Sequence, residues 1–579
     1  MSNQSKQGNN MKAFSYLLTG LLLAATAEAA IHVDAGNTGT EDGASWATAF
    51  NTVQEGIDAA ETAGDPEVWV AAGTYAPTGG TLRRTTILLK SNIAVYGGFD
   101  GTETDRSMRD WIANPTILSG NIGDPGLATD NSFHVVSCTN ATGAVLDGFT
   151  IRDGYADGPN TGGGANTGLN STSAEAIVAG INHSAGGGII NFQAAASFYN
   201  CIVTNNHAGK AGGAYNMVST TARGSDDDPN PYYENCTFVG NTSGGRGGAV
   251  QNDVATHPAF VNCRFLDNTC DGKGGGMYND FYCSPFLTNC VFAGNYAIMA
   301  GAMGNDGSSS PTIVNCTFAN NEAWDKGAAI YNGSHSASAT ANLPTIVNCI
   351  FFGNTITTAP GPTDLEVWHD NFPDITYSIV EEGYAGTGNM TGDPLFADAA
   401  NHDFILVHGS PAIDAGTGNR TADIDGIPCP LDGDNNGSAL ADIGAHEYAC
   451  AAADTDGDGM LDGWELGYGF NPRTAEDGTA DSDLDGMDNA DESIADTDPR
   501  DGNSLFEITA FSSASGTNEI VATASANRQY SLLYSTNLPA GEWVVASNQL
   551  NQAGSAEGVG FAHRTDATQI YYRVQVSVP

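Results

Sequence analysis

Basic residues are scarce in this sequence. Lys and Arg together number 20 against 67 Asp and Glu, which gives a formal net charge of −47 at pH 7. A chain with this balance repels nucleic acid and anionic membrane surfaces, so we expect neither as a partner. The same excess of carboxylates attracts divalent cations. The hydrophobic fraction is still 41%, so the composition is that of a folded chain and not of a disordered one.

Long apolar stretches are also scarce. One occurs at the N-terminus, where Lys12 precedes the apolar run 13–27 and small residues at 27–29 suit a cleavage site. Residues 1–30 are therefore predicted to be a secretory signal peptide, with a membrane anchor as the alternative. No later stretch is long enough, so we expect no transmembrane span after signal removal. The predicted location is outside the cell, on its surface or in the outer membrane.

No Cys-x-x-Cys motif occurs among the 11 cysteines, which argues against a zinc site. Six cysteines occupy one position of an internal repeat: Cys201, Cys236, Cys263, Cys290, Cys316 and Cys349. In a parallel stack, equivalent Cβ atoms lie ~4.8 Å apart, further than the ~3.8 Å of a disulfide. We therefore predict that these six are buried free thiols. The better disulfide candidates are Cys270 with Cys283 and Cys429 with Cys450.

The repeat itself predicts the fold. An Asn recurs 15 or 16 residues after each of the first five of these cysteines, and this Asn row comprises Asn191, Asn216, Asn252, Asn279, Asn305 and Asn332. A period near 27 residues indicates one unit stacked on copies of itself. Alternation in 261–265 indicates short strands, and we predict three per coil of a right-handed parallel β-helix, an all-β solenoid. Stacked amides are predicted to bond to one another in a second row: Asn205, Asn241, Asn268, Asn295, Asn321 and Asn354.

The ends of the chain differ from the repeats. Apolar residues at helical spacing between 46 and 63 predict an N-terminal helical cap over the open edge of the stack. The β-helix is predicted to occupy residues 31–448. An acidic spacer follows at 449–503, and alternating apolar residues within 504–579 predict a small β-sandwich. We expect a monomer.

Several phrases resemble known families. The stretch 68–75 after the predicted cap resembles the first coil of pectin-lyase-like right-handed β-helix proteins. Other phrases resemble the repeats of polymorphic outer-membrane proteins, and these are the Phe-x-x-Asn phrases at 238–241, 265–268, 292–295 and 318–321. Segments 410–416 and 442–448 are similar to the closing segment of bacterial surface β-helix proteins. The resemblances imply the fold and, for the outer-membrane relatives, adhesion.

The acidic segment carries the most specific motif. Residues 454–501 contain 16 acids and two arginines, and they match the twelve-residue loop Asp-x-Asp-x-Asp-Gly-x5-Glu twice. Carboxylates at these positions converge on one Ca²⁺, and the residue after Gly donates its backbone carbonyl. The predicted ligands of the first loop are Asp454, Asp456, Asp458, Met460, Asp462 and Glu465. Those of the second loop are Asp481, Asp483, Asp485, Met487, Asn489 and Glu492.

The segment between these loops does not predict the flanking helices of an EF-hand, because Asn471-Pro472 interrupts it. The pair is more similar to thrombospondin type 3 repeats, which implies a calcium-stiffened spacer. Dockerin modules are a weaker match, and a merely solvated acidic linker is the alternative. Asp432, Asp434 and Asn436 begin a third such loop, but no acid closes it.

Four of the few cations on the β-helix form one row. Lys210, Arg246, Lys273 and Lys326 each stand six residues before the Asn of their repeat, and Met299 fills the fifth equivalent position. Such a stripe can bind sulfate or uronate groups along a polysaccharide or cell-surface glycan. The alternative is that these side chains pair with nearby carboxylates, namely Asp267, Asp271 and Asp325.

Three carboxylates directly follow the Asn row: Asp253, Asp280 and Asp306. Their expected spacing of ~4.8 Å per coil overlaps with that of catalytic carboxylate pairs. Insertions near 217–231 and 333–343 are predicted to form the walls of a cleft at the two ends of this row. Other residues expected nearby are Asp226, Asp227, Asp228, His257 and His335. Solvated turn residues are the alternative. Two observations argue against catalysis: the sequence places no Lys or Arg clearly beside the row, and it lacks the Gly-His-Gly and Arg-x-Lys phrases of β-helix polygalacturonases.

These features lead to two main hypotheses for function. The first is a secreted or cell-surface bacterial β-helix protein for adhesion or glycan binding, with Ca²⁺ stiffening its spacer. The second is a polysaccharide lyase or glycoside hydrolase that uses Asp253, Asp280 and Asp306 as catalytic groups. A third hypothesis is a purely structural envelope component, which binds no glycan.

Overall fold

Equivalent residues of successive repeats pair in register, and this pairing builds four long sheets. The computed structural model describes residues 30–577 except 65–66, 159–182, 219–229, 334–342, 363–364, 368–371, 419, 435, 538–541, 547–548, 556–557 and 568. Residues 1–29 of the predicted signal peptide lie outside this part. We name the sheets I to IV in the order in which one coil visits them. Together they form the right-handed parallel β-helix that the repeat predicts.

The corners of each coil are set by residues in the left-handed backbone conformation. In the coil that begins at Ala259, the φ angles of Asn262, Asp267 and Gly274 are 52°, 54° and 76°. Asn, Asp and Gly adopt this conformation at the least cost, so the chain turns sharply at each of them. The strands between these corners are Ala259–Val261, Arg264–Leu266, Thr269–Lys273 and Met277–Asn279. The coil therefore contains four strands, and the prediction of three was wrong.

The described strands of each sheet follow in chain order. Sheet I contains Ile31–Val33, Glu67–Ala71, Ala94–Phe99, Thr142–Asp147, Ala195–Tyr199, Tyr232–Glu234, Ala259–Val261, Phe286–Thr288, Thr312–Val314, Thr345–Val347 and Asp374–Thr376. Sheet II contains Gly73–Tyr75, Thr116–Ser119, Phe149–Arg152, Ile202–Thr204, Thr237–Val239, Arg264–Leu266, Val291–Ala293, Thr317–Ala319, Ile350–Phe352 and Ile379–Val380. Sheet III contains Tyr155–Ala156, His207–Ala208, Thr242–Ser243, Thr269–Lys273, Tyr296–Met299, Glu322–Lys326, Thr355–Ile356 and, antiparallel, Ala359–Pro362. Sheet IV contains Ile87–Leu89, Val136–Thr139, Ile189–Phe192, Ala214–Met217, Val250–Asp253, Met277–Asn279, Met303–Asn305, Ile330–Asn332 and Leu365–Val367.

Two rows of buried Asn amides run along the interior of the stack. In the first row, from Asn191 to Asn332, each Nδ2 donates to the next Oδ1 at 2.8 or 2.9 Å. The second row runs from Asn206 to Asn354 with distances of 2.9 or 3.0 Å. The predicted member Asn205 is not part of it, because that residue forms a corner with φ 53°. The ladders give these buried amides hydrogen-bond partners in the neighbouring coils.

An aromatic row lies beside the second Asn row. The rings of Phe238, Phe265, Phe292, Phe318 and Phe351 stack with centroids 5.1, 4.3, 4.8 and 5.0 Å apart. These rings are fully buried and belong to one continuous core that runs through the coils. A single coil encloses too little apolar surface to fold alone, so the stacking itself stabilises each unit.

The cysteines of the repeat are buried and free, as predicted. Burial raises the pKa of a thiol such as that of Cys263, so these side chains act as small apolar groups. The four cysteines of the predicted disulfides are free as well: Cys270, Cys283, Cys429 and Cys450. That prediction was wrong. Cys270 lies within sheet III, whereas Cys283 follows the strand of sheet IV, so the two belong to different faces of the coil.

The N-terminal helix α1 spans Val53–Ala63. The Thr52 side chain caps it by accepting from the backbone N–H of Glu55 at 3.3 Å, and Gly64 ends it with φ 73°. The helix contacts strands at the start of sheets I and IV, in the region where the cap is predicted. That it covers the open edge of the stack stays a prediction. Short 3₁₀ turns occur at Trp46–Thr48, Arg106–Met108, Ala128–Asp130 and Ala399–Asn401.

Residues 396–448, which we call the closing segment, fold back along the outer face of sheet II. The segment begins with the antiparallel strands Phe396–Asp398 and Asp403–Leu406. Its apolar side chains pack on the outward residues of the sheet, as Phe404 does in the cluster that contains Ala293. Corner amides bind its backbone, and Asn348 Nδ2 donates to the carbonyl of Thr417 at 2.7 Å. The segment therefore uses both apolar contacts and corner residues of the β-helix.

The chain ends with two short helices and two small antiparallel sheets. The helices are α2, Asp462–Tyr468, and α3, Asn489–Ala495. One sheet contains Ile508–Ala514, Thr517–Ala522 and Val559–Arg564, and the other contains Gln529–Ser535, Val544–Val545, Gln552–Ala553 and Tyr571–Ser577. They share one apolar cluster that includes Ile520, Tyr530 and Phe561, which is the arrangement predicted for 504–579. None of the helices in the described residues has the length and apolar character needed to cross a membrane.

Candidate functional site

The outer side of sheet IV brings together two rows that the sequence presents separately. Asp253, Asp280 and Asp306 follow residues that pair in register, so they form a column from coil to coil. The cations stand at the sheet III edge of the same coils, where Arg246 pairs in register with Lys273. We call this combined set of acidic and basic side chains the charged face.

The cations of the charged face bind the carboxylates of the next coil. Arg246 Nη1 lies 2.5 Å from Asp280 Oδ2, and Lys273 Nζ lies 2.7 Å from Asp306 Oδ2. The Tyr278 hydroxyl also donates to Asp306 Oδ2 at 2.6 Å. The expectation that no Lys or Arg stands beside the Asp row was therefore wrong. The alternative prediction, that these cations pair with Asp267, Asp271 and Asp325, named the wrong carboxylates for Arg246 and Lys273.

The carboxylates lie beneath the cations. The side chains of Asp280 and Asp306 are 0% and 2% exposed, whereas those of Arg246 and Lys273 are 30% and 24% exposed. Burying a carboxylate costs free energy unless it is paired with a charge and hydrogen-bonded, and these cations supply both. An incoming ligand therefore meets the guanidinium and ammonium groups first. The acids of these two coils act as anchors for the cations.

Asp253 differs from the other two carboxylates. Its Oδ2 accepts a hydrogen bond from the Tyr215 hydroxyl at 2.8 Å, while its Oδ1 is buried and has no partner among the described residues. Burial raises the pKa of Asp253, and the Tyr215 hydrogen bond and the charge of Lys210 offset part of that rise. Burial therefore makes the protonated form of this carboxyl group more favourable than it is in an ordinary Asp.

Sheet III adds an exposed aromatic side chain next to the basic row. Lys273, Met299 and Lys326 pair in register along this edge, as their sequence spacing predicts. Trp324 precedes Lys326 by two residues on the same strand and is 49% exposed. The register shifts between Ala323 and Lys326, so strand alternation does not fix the direction of the Lys326 side chain relative to the indole ring. Trp324 is exposed and Lys326 is half-buried. Ile298 on the neighbouring strand is exposed as well.

Part of the predicted wall around the Asp row falls outside the described residues. This applies to 219–229 and 334–342, which include Asp226, Asp227, Asp228 and His335. His257 is described, and its Nδ1 accepts a hydrogen bond from the backbone N–H of Ser284 at 3.0 Å. This contact ties His257 to the backbone of the next coil.

The first predicted calcium loop gathers carboxylates around one point. Ligand oxygens of Asp456, Asp458, Glu465 and Asp477 all lie within 4.8 Å of one another, and we call this the first acidic group. Three of these residues are predicted ligands. Asp477 is not, because it lies outside the twelve-residue motif. Chemically, the group offers only oxygen ligands, which suits a hard cation such as Ca²⁺.

Several oxygens of the first acidic group have no partner in the described part of the chain. Both carboxylate oxygens of Glu465 are buried and unbonded, as are both of Asp456. Burial, and then the charges of Asp456 and Asp458, raise the pKa of Glu465 to about 8. Burial followed by the charge of Asp458 raises the pKa of Asp456 to about 6. Unpaired buried carboxylates are costly, and a divalent cation at their centre removes that cost.

The second loop repeats this arrangement. Ligand oxygens of Asp481, Asp483 and Asp485 lie within 4.8 Å of one another and form the second acidic group. Glu492 is fully buried, and its Oε2 has no partner among the described residues. Burial is the main cause that raises the pKa of Glu492 to about 7. The residues of both loops fit the predicted metal.

The other predicted ligands have different surroundings. Asp454 accepts from the backbone N–H groups of Gly457, Asp458 and Gly459 at 2.8, 3.2 and 3.1 Å, so it shapes the loop. Asp462 accepts from the N–H and the hydroxyl of Thr455 at 2.8 and 2.7 Å. The remaining predicted ligands also bond locally: Asp481 accepts from Gly486, Met460 and Met487 donate their N–H groups to Asp458 and Asp485, and Asn489 donates to the Asp477 carbonyl.

A third acidic group joins residues that are distant in sequence. Asp414 comes within 4.8 Å of Asp432 and Asp434, the pair with which the incomplete third loop begins. Its carboxylate oxygens accept from the N–H groups of Asp434 and Leu440, both at 2.9 Å. The acid that the sequence did not supply within the loop therefore comes from an earlier part of the same closing segment. Because Asp414 precedes Asp432 by 18 residues, motif spacing could not reveal it.

The sequence matches no protein-family model and no curated protein. The fold class is established by the four sheets, but a fold class does not determine an activity. The function is therefore inferred from the charged face, from the exposed aromatic edge and from the acidic groups of this chain.

Proposed function

We propose that this is an exported β-helix protein that binds acidic glycans along the edge formed by the charged face and sheet III. The observation that carries the proposal is the exposure of Trp324 beside Lys326, in register with Met299 and Lys273. An indole ring offers an apolar platform for the C–H face of a sugar. Ammonium and guanidinium groups bind carboxylate or sulfate groups.

The spacing of the cations suits a repeating polymer. Lys273 and Lys326 are separated by two coils, or ~10 Å at the usual strand spacing. Lys273 uses one contact on Asp306, and an ammonium group has three donors, so it can bind an anionic ligand without leaving its partner. The resemblance of the repeats to polymorphic outer-membrane proteins and the predicted signal peptide support a role outside the cell. The resemblance to pectin-lyase-like proteins supports an extended polysaccharide ligand.

We further propose that Ca²⁺ binds the two acidic groups of the spacer, as thrombospondin type 3 repeats imply. The unbonded oxygens of Glu465 and Glu492 support this part of the proposal. The cation would neutralise the loops and hold them against each other. It would supply no reaction chemistry there.

Trp324→Ala should weaken glycan binding, because the sugar loses its aromatic contact. We expect about a tenfold loss of affinity for the best acidic glycan, the change produced by removing ~1.4 kcal/mol. Glycan arrays followed by calorimetric titration would measure it. Trp111→Ala is the matched control, since Trp111 is also exposed but lies near sheet II. Equal losses in the two variants, or none in either, would argue against this edge as the binding site.

A polysaccharide lyase or glycoside hydrolase is the second candidate, and Asp253 is the observation that favours it. A carboxyl group with a raised pKa is better suited than an ordinary one to donate a proton to a leaving group. Asp280 and Asp306 are less suited to catalysis, because each is buried against a cation. Most glycosidases use two carboxyl groups, and on the described charged face the two neighbours available to Asp253 are both bound to cations.

Incubation with a panel of acidic and neutral polysaccharides separates the two candidates. We expect binding without release of products. If products appear and Asp253→Asn reduces their formation by about a hundredfold or more, the size of a typical acid–base contribution, the protein is an enzyme. Asp280→Ala is a less clean variant for this purpose, because it leaves Arg246 without its partner.

A further inference from the structure

One carboxylate outside both twelve-residue loops faces the first acidic group. Asp477 lies twelve residues after Glu465 and four before Asp481. One of its oxygens is within 4.8 Å of ligand oxygens of Asp456, Asp458 and Glu465. Its Oδ1 is buried without a partner in the described residues, and its Oδ2 accepts from the N–H of Asn471 at 3.3 Å.

The Glu465 side chain gives independent support for a cation at this point. It is fully buried, and neither of its oxygens has a hydrogen-bond partner among the described residues. A carboxylate in that position is aimed at other carboxylates and at no donor. A bound cation is the simplest partner that satisfies all four residues at once.

Asp477 also contacts the second loop through its backbone. Its carbonyl accepts from Asn489 Nδ2 at 2.7 Å. The backbone of the same stretch pairs with the start of α3, where Asn489 N–H donates to Ala480 at 2.8 Å and Ala490 N–H donates to Gly478 at 3.0 Å. The side chain of Asp477 thus points to the first group, while its backbone positions a predicted ligand of the second.

The adjacent Gly478 shows how closely this stretch approaches the first group. A Cβ atom at Gly478 would lie 2.3 Å from Asp458 Oδ2, which is closer than atoms can approach. The chain at 477–478 therefore runs directly against the ligand oxygens. If ion binding moves these oxygens, the backbone at 477–478, which holds Asn489, must move with them.

We propose that Asp477 is a ligand of the first calcium ion and that it couples the two loops, so that the ions bind cooperatively. This inference rests on the proposed calcium binding of the spacer. An ion at the first group fixes the Asp477 side chain and with it the carbonyl that positions Asn489. The second group is then ordered before its ion arrives, and the second ion binds more tightly.

Calcium titration of the full chain by calorimetry tests the proposal, with Asp477→Asn as the variant. The wild type should bind two ions with a sigmoidal isotherm. Asp477→Asn should bind one of them about tenfold more weakly and lose the sigmoidal shape. The control is Glu476→Gln, which removes the same charge from the exposed neighbouring residue. Circular dichroism of each variant checks that the β-helix is intact.

The outcomes separate this inference from the proposal on which it rests. If the wild type binds no calcium, the proposed calcium function and this inference are both wrong. If the wild type binds two ions and Asp477→Asn titrates like Glu476→Gln, only the inference is overturned. If Asp477→Asn binds calcium more weakly but its isotherm is still sigmoidal, Asp477 is a ligand and the proposed coupling between the loops is wrong.

Discussion

Removal of Ca²⁺ should lower the melting temperature of residues 450–503 by about 20 °C or more, the shift expected when each of two ions contributes ~2.7 kcal/mol at a hundredfold excess over its dissociation constant. The physical reason is that carboxylates of both acidic groups lie close together, and several of their buried oxygens have no partner in the described residues. Without the ion these groups repel one another or must take up protons. Calorimetry with and without a chelator measures the shift.

The double variant Asp458→Ala plus Asp485→Ala should abolish the dependence on Ca²⁺. Each of these residues uses one oxygen to accept a backbone N–H and leaves the other buried and unbonded toward its group. The matched control is Glu476→Ala plus Asp491→Ala, which removes two exposed acids from the same segment. Limited proteolysis would show whether the transition belongs to the spacer. An unchanged transition in chelator would refute calcium stabilisation.

Asn295→Leu should lower the free energy of unfolding by ~4 kcal/mol, because it leaves several buried groups without partners at ~1–3 kcal/mol each. Asn295 Nδ2 donates to Asn321 Oδ1 at 2.9 Å and to the Phe265 carbonyl at 2.8 Å. Its Oδ1 accepts from the backbone and side-chain nitrogens of Asn268 at 3.1 and 3.0 Å. Leu has nearly the same volume but can form none of these bonds. Denaturant unfolding would measure the change.

Phe292→Leu is the control for this experiment. Phe292 lies three residues earlier in the same coil and stacks on two neighbouring rings. An apolar replacement there keeps the interior free of unpaired polar groups, so the expected loss is only ~1–2 kcal/mol. If Asn295→Leu is as stable as the wild type, the amide ladder fixes the register of the coils without stabilising them.

The stacking of coils could be predicted from the sequence because like residues recur at like positions. The Cys row and the first Asn row were both found in that way. The number of strands per coil was missed because strands of three to five residues show too little alternation to be counted. The second Asn row was misplaced by one residue at its start, where Asn205 and Asn206 are adjacent and only the backbone angle distinguishes corner from interior.

The pairing on the charged face could not be predicted from spacing within one repeat. Arg246 is seven residues from Asp253 of its own coil, but it binds Asp280 of the next. A long side chain can reach across a strand spacing of ~4.8 Å, so sequence distance does not select its partner. Asp477 and Asp414 were missed for a related reason, since each joins its acidic group from outside the motif. An acid next to a glycine near a calcium loop, as in Asp477-Gly478, is a sequence signal that could indicate an additional ligand from outside the motif.

The closing segment has a consequence for the length of the molecule. Its described contacts with the β-helix run from Arg264, which pairs with Asp425, to the cluster that contains Ile379. The coils before Tyr232 lie outside this range. A duplication or loss of one whole repeat in that earlier region would lengthen or shorten the β-helix by one coil. The contacts of the closing segment with the later coils would stay unchanged. The same event between Arg264 and Ile379 would shift every corner amide away from the carbonyl it binds.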